Sequence, residues 1–164
     1  MFGARKVKLS KWESSKGVAW EGISPDAVTS DLRTTDNTLS LWGMKDGEDE
    51  REIRDVVLAL ASGFERLDAV DLAWIPLEEV EGVQFVSTWG RTPVEGLGEK
   101  HLDARIENLG SLCRLAEILA KSMDGGMCAS FSRKDVLEIL EKAIEDGRLR
   151  KEGLHEKLRK KLGG

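Results

Sequence analysis

Five polar side chains crowd a short stretch of this chain. Asp31, Arg33, Thr35, Asp36 and Asn37 lie between two short predicted elements, and Trp20 and Trp42 fall on predicted strands to either side. Carboxylates, a guanidinium and an amide gathered this way offer donors and acceptors to a small polar ligand or to a partner surface, with an indole as an apolar wall. Asp31, Arg33, Asp36, Asn37 and Trp42 are therefore the candidate ligand- or partner-binding residues. A competing reading needs no ligand. Asp and Asn are strong turn formers because their side chains bond to nearby backbone and they tolerate left-handed dihedrals.

Other chemistry is poorly supplied. Nucleophilic catalysis by a thiol needs a lowered pKa. Cys128 sits in a predicted loop, Met127–Ser130, with only Arg133 and a following helix start to stabilise a thiolate. Cys113 falls on an apolar helical stripe and reads as a buried thiol. Two histidines and two cysteines, with no C-x₂-C or H-x₃-H pair, give no metal-ligand spacing, so neither a metal nor a cofactor is expected. His101, with Asp103 and Arg105 nearby, falls at a predicted helix start and reads as a surface residue. Gly125-Gly126 lacks the Lys-Ser/Thr of a phosphate loop, and Glu95 and Glu99 beside Gly96 and Gly98 would repel an anion. Carboxylates are too abundant to single out a catalytic pair. No catalytic residue is identified, and the balance favours a non-enzymatic protein.

The composition is that of a folded, acidic domain. The 164 residues carry a net charge of -5, with 40% hydrophobic and 34% charged residues, enough for one domain with a real core. Residues 1–16 hold five basic groups against one acidic, and 147–164 seven against two. Between them, residues 46–146 hold 11 basic and 23 acidic groups. An acidic body with a pI near 5.2 argues against a nucleic-acid binder, although the basic final segment keeps that as a weaker alternative. No run approaches the roughly 20 apolar residues of a membrane helix, and no apolar segment follows the basic N-terminus as in a secretory signal. With too few cysteines for a disulfide framework, a reducing cytoplasm is the expected location.

Periodicity supplies the elements that would position these residues. Residues 1–16 read as a flexible or strand-like basic lead-in. Strands are expected over 18–23, 38–44, 67–75 and 83–89, and a helix over 48–62 with acids in its first turn. The strongest signal is the stripe Leu102, Ile106, Leu109, Cys113, Ala116, Ala120 and Met123. Its four-three spacing predicts a helix over 99–122, widened by Leu112, Leu115, Ile118 and Leu119. That breadth makes it a core helix, with a homodimer seam as the minority reading. Ser132 and Asp135 form a capping-box pattern ahead of a helix over 133–146, and a last helix is expected over 151–162. Five tryptophans without a tyrosine suggest that most fill the core and one or two serve an interface.

Arg133 to Leu162 resembles the short C-terminal helical hairpins of the SHOCT type. The matching features are the amphipathic helix, the Asp146-Gly147-Arg148-Leu149 turn, and Glu152, Leu154, Lys157 and Leu162. Gly153 and Leu154 depart from that pattern, where an acid and an aromatic are usual, so the resemblance implies an interaction module rather than family membership.

Together these features predict an α+β fold. A small, mostly antiparallel sheet of about four strands packs on two main helices within a 17–124 core, and a helical hairpin at 130–162 packs on that core. The function expected is protein–protein interaction by an accessory or regulatory factor of the immunity or antitoxin kind, with a protein partner and a homo-oligomer open. The alternative is a small ligand-binding domain or enzyme using residues 31–37.

Overall fold

The computed structural model describes residues 1–15 and 19–163, with the side chain of Trp20 left out. It is an α+β protein built on one antiparallel sheet of six strands. The strands are β1 (Phe2–Val7), β2 (Thr38–Met44), β3 (Val70–Pro76), β4 (Gln84–Ser87), β5 (His101–Arg105) and β6 (Cys128–Phe131). Their order is β4-β5-β2-β1-β3-β6. The helices are α1 (Leu9–Trp12), α2 (Pro25–Asp31), α3 (Glu50–Ala61), α4 (Leu109–Asp124), α5 (Arg133–Glu145) and α6 (Glu156–Lys161).

Strand alternation sends apolar residues to both faces, and each face has its own core. Ala4, Trp42, Met44, Val70, Leu72 and Trp74 meet α3, α5 and the C-terminal leucines 154, 158 and 162. Val7, Leu39, Leu41, Ala73, Ile75, Leu102 and Ala104 meet α4 and the α1–α2 segment, including Trp12. The sheet is the middle of three layers. Residues 130–162 therefore contribute to the same core as α3.

Several expectations change here. Six strands form the sheet against about four expected: those over 38–44, 67–75 and 83–89 are present, and β1, β5 and β6 are additional. The basic lead-in is β1, which pairs with β2 on one side and with β3 on the other. The residues around Cys128 form edge strand β6 rather than a loop. The strand expected over 18–23 is a 3₁₀ turn at Trp20–Gly22, with Val18 outside the described residues. The final helix is broken: Lys151–Gly153 is a 3₁₀ turn, and α6 restarts after the His155 cap.

The largest correction concerns the predicted helix at 99–122. Its first third is β5, and α4 begins only at Leu109, capped by Asn108, whose side chain accepts from Ser111 N at 3.0 Å. Leu102, Ala104 and Ile106 are buried at a spacing of two, whereas Leu109 is 74% exposed. The four-three stripe arose because a period-two strand ran into a period-3.6 helix across a short loop. On α4 itself Leu115, Ala116, Leu119, Ala120 and Met123 face the core. Leu109 is left outside that core, and Leu112, Cys113 and Ile118 are half-buried at its margin.

Candidate functional site

Strands β1 and β2 pair only from Phe2 to Ala4 against Met44 to Trp42, and then part. Arg5 enters the gap. Its Nη1 donates to the backbone oxygen of Ser40 at 2.6 Å, and its Nε donates to the backbone oxygen of Asp31. The guanidinium supplies ladder donors that the diverging strand no longer provides. Burial pulls the Arg5 pKa down, opposed by the charge of Asp31.

Asp31 ends α2 and is 8% exposed. Its Oδ2 accepts from the Lys8 amide at 2.7 Å and from Trp12 Nε1 at 2.8 Å, while Oδ1 accepts from Ser30 Oγ at 2.6 Å. Asp71 takes the next amide, that of Leu9, at 3.2 Å. Two carboxylates thus satisfy the free N–H groups where α1 begins. Arg5, Lys6, Lys8, Ser30, Asp31, Ser40 and Trp42, with Leu60 of α3, line a cleft of about 380 Å³ at this split. Asp31 is fully engaged by donors. The chemistry left for a ligand is cationic, from Lys8 and the remaining guanidinium hydrogens, beside the indole of Trp42.

Only two of the five candidate residues meet in this cleft, Asp31 and Trp42. Asp36 and Asn37 stand at φ 51° and 57°, between Thr35 and Thr38, which bond to each other across the tip. They form the two-residue turn that such left-handed positions define. They line a separate concavity of about 460 Å³ with Thr38, Arg105 and Glu107. Arg33 is exposed and borders neither. Arg5 and Lys8 were missed because the N-terminal cations read as a charged lead-in. The mixed apolar and basic alternation of Phe2 to Val7 was the available signal.

His101 lies on β5, not at a helix start. Its Nδ1 shares a 2.7 Å hydrogen bond with Thr88 Oγ1, and its ring meets Trp42 edge-on at 5.3 Å. Burial lowers its pKa, with Asp103 opposing. Gly90 lies directly over this pair. A Cβ there would fall 2.7 Å from the Trp42 ring and 2.8 Å from His101 Cβ, so only glycine permits the approach. The pair is a packed structural contact under a loop.

A second concavity, about 690 Å³, runs between α3 and α5. Leu58, Ile139 and Ala143 lie at its base. Arg51 and Arg54 of α3 and Glu138, Glu141, Lys142 and Glu145 of α5 line it, with Lys142 paired to Asp146 at 2.9 Å. Buried Asp55 anchors one end, 2.8 Å from Arg148 and 3.6 Å from Lys100. The wall residues come from the polar faces of two amphipathic helices, where sequence periodicity registers only solvation. Among the described residues no group of His, Cys, Asp and Glu is arranged to hold a metal ion. None of the described helices is long and apolar enough to cross a membrane.

No protein-family model matches the chain, and neither a curated protein nor a solved structure matches it significantly.

Proposed function

We propose that this chain is a non-enzymatic binding protein, an accessory or regulatory factor of the cytoplasm that works by engaging a protein partner. The groove between α3 and α5 carries this reading. Its walls present both signs of charge within one concavity, which suits a peptide or helix bearing complementary charges and disfavours a uniformly anionic polymer. The polar groups most suited to chemistry also support it, since they are engaged in holding the fold. Asp31 accepts from three donors, and Asp55 pairs with two cations.

The test is capture of a partner from the native host by the full chain, with reversal of the groove charges as the discriminating variant. Arg54→Glu with Lys142→Glu should abolish capture of any specific partner. Lys8→Glu, on the sheet cleft, should leave it intact. A partner held equally by all three proteins would refute the groove.

A second reading is carried by the sheet cleft, where Asp31 and Trp42 come together beside three cations, Arg5, Lys6 and Lys8. It takes this split as the site of a small anionic ligand. Inorganic phosphate and benzoate serve as probes in a thermal-shift titration. A shift lost in Lys8→Glu favours the cleft, and no shift with either anion discards it.

A further inference from the structure

The sheet ends at β4, and this edge is unusual for so highly charged a chain. From Gly82 to Gly90 (GVQFVSTWG) there is no charged residue and no proline. Sheet edges are ordinarily protected by charge, proline or a bulge against pairing with another chain. Here the edge carries Val83, Phe85, Val86 and Trp89, residue types that favour strand pairing.

The backbone geometry selects which groups are free. Thr88 N donates to His101 O at 3.0 Å, so Thr88 points into the β5 ladder. By the antiparallel alternation Val86 and Gln84, opposite Asp103 and Arg105, also point inward. The N–H and C=O groups of Phe85 and Ser87 therefore point out of the sheet. Glu81 and Arg91, both exposed, flank the neutral stretch at equal distance from Val86.

From this we infer that the protein forms a two-fold homodimer by antiparallel pairing of β4 with β4 of a second copy, centred on Val86. In that register Phe85 pairs with the second copy's Ser87, and each pair exchanges both backbone hydrogen bonds. Val86 meets Val86. Glu81, in the turn before β4, and Arg91, in the loop after it, fall at opposite ends of the pairing, so each end brings one acid and one base from the two copies together. A two-fold contact must be self-complementary, and a neutral segment with opposite charges placed symmetrically at its ends meets that condition. Two copies of net charge -5 repel overall, and the residues of this edge add no charge to that repulsion. The result is one continuous twelve-stranded sheet. Trp89, 75% exposed, stands beside the junction with its ring held against Gly98, where a Cβ would come within 2.8 Å. The inference is independent of the α3–α5 groove, which lies on a helical layer of the fold.

Sedimentation equilibrium of the full chain over a range of concentrations tests it. The expected mass rises from 18.2 kDa toward twice that value. Ser87→Pro removes an N–H that points out of the sheet, so it should stay folded by circular dichroism and remain monomeric. Arg91→Glu removes both symmetry-related ion pairs and sets Glu against Glu at each, so it should weaken association by about tenfold or more. Adding Glu81→Arg to it should restore the wild-type affinity, which decides the matter even if Ser87→Pro fails to fold. A wild-type chain that stays at 18.2 kDa throughout overturns the inference. So does a dimer indifferent to the charge swap.

Discussion

Replacement of Asp31 separates two ways in which a buried carboxylate can hold a fold. In Asp31→Ala, Trp12 Nε1 loses its acceptor inside a residue that is fully buried, and the Lys8 amide loses its own acceptor. A stripped buried donor costs about 1–3 kcal/mol, and the Lys8 amide, nearer to water, less. Arg5 also loses the negative charge that offsets its burial. The sum is about 3 kcal/mol, equivalent to a fall in Tm of roughly 6–12 °C for a chain of this size. Asp31→Asn behaves differently. Its carbonyl can occupy the Oδ2 position and keep both N–H donors, while its amide donates to the Ser30 hydroxyl. Only the charge is lost, at about 1 kcal/mol. Urea titration followed by tryptophan fluorescence reads both variants, since Trp12 is itself a partner. Adding Trp12→Phe to Asp31→Ala should cost less than adding it to wild type, because the orphaned N–H is removed with it. If Asn costs as much as Ala, charge rather than hydrogen bonding is the dominant role, and the argument fails.

Four further outcomes are expected. Leu109→Lys, at an exposed first-turn position, should change stability by less than about 0.5 kcal/mol, whereas Leu119→Ala should cost about 2–5 kcal/mol in the same urea titration. Asn37→Val forces a β-branched residue to positive φ and should cost about 1–2 kcal/mol, while Asn37→Gly should be neutral or slightly stabilising, and neither should alter partner capture. Burial lowers the His101 pKa below its ordinary 6.5, so the unfolded chain binds a proton that the folded chain resists. Stability should therefore fall as pH drops below 6.5, until the folded value is passed, and His101→Gln should flatten that part of a Tm-against-pH curve. Gly98→Ala pushes on the Trp89 ring and on the Gly90 carbonyl, 3.0 Å from the added Cβ, so it should shift tryptophan emission and lower Tm together.

What could be read from the sequence followed from regular periods. The strand over 38–44 is β2 as drawn, and the helices over 48–62 and 133–146 appear at Glu50–Ala61 and Arg133–Glu145. The Ser132–Asp135 capping box forms reciprocally, with Ser132 N donating to the Asp135 carboxylate at 2.7 Å. Where two periods met, the reading failed. Leu102 to Ile106 alternates as a strand, yet runs into α4 in a spacing that counts like one helix. Strands β1 and β6 were obscured for another reason. Arg5 and Lys6 made β1 look polar, and its central place in the sheet follows from tertiary pairing, which no local pattern encodes. The tryptophans divide as their environments require: Trp12, Trp42 and Trp74 are buried, and Trp89 is exposed.

The candidate residues were divided by the same physics. Asp36 and Asn37 lie where turn chemistry alone would put them. Asp31 was picked for its polarity, but the partners that define its role are Lys8, Trp12 and Arg5, which are distant in sequence. Such a cleft exists only because two strands separate and a side chain fills the space between them, and only the folded chain shows this.

The position of β1 bears on how the molecule is made. Synthesis makes this strand before either of its partners, β2 and β3, and its last partner position is Pro76. Until Met44 has left the ribosome the segment that will become the middle of the sheet has no partner, and until Pro76 has followed it lacks β3 on its other side. Its own edges are then open, and only Arg5, Lys6 and Lys8 discourage premature pairing. The charges of Arg5, Lys6 and Lys8 thus lie on and just after a strand that must wait for its partners, where charge opposes edge-to-edge pairing. Their neutralisation should appear first as a lower soluble yield during expression, before any change in the finished protein.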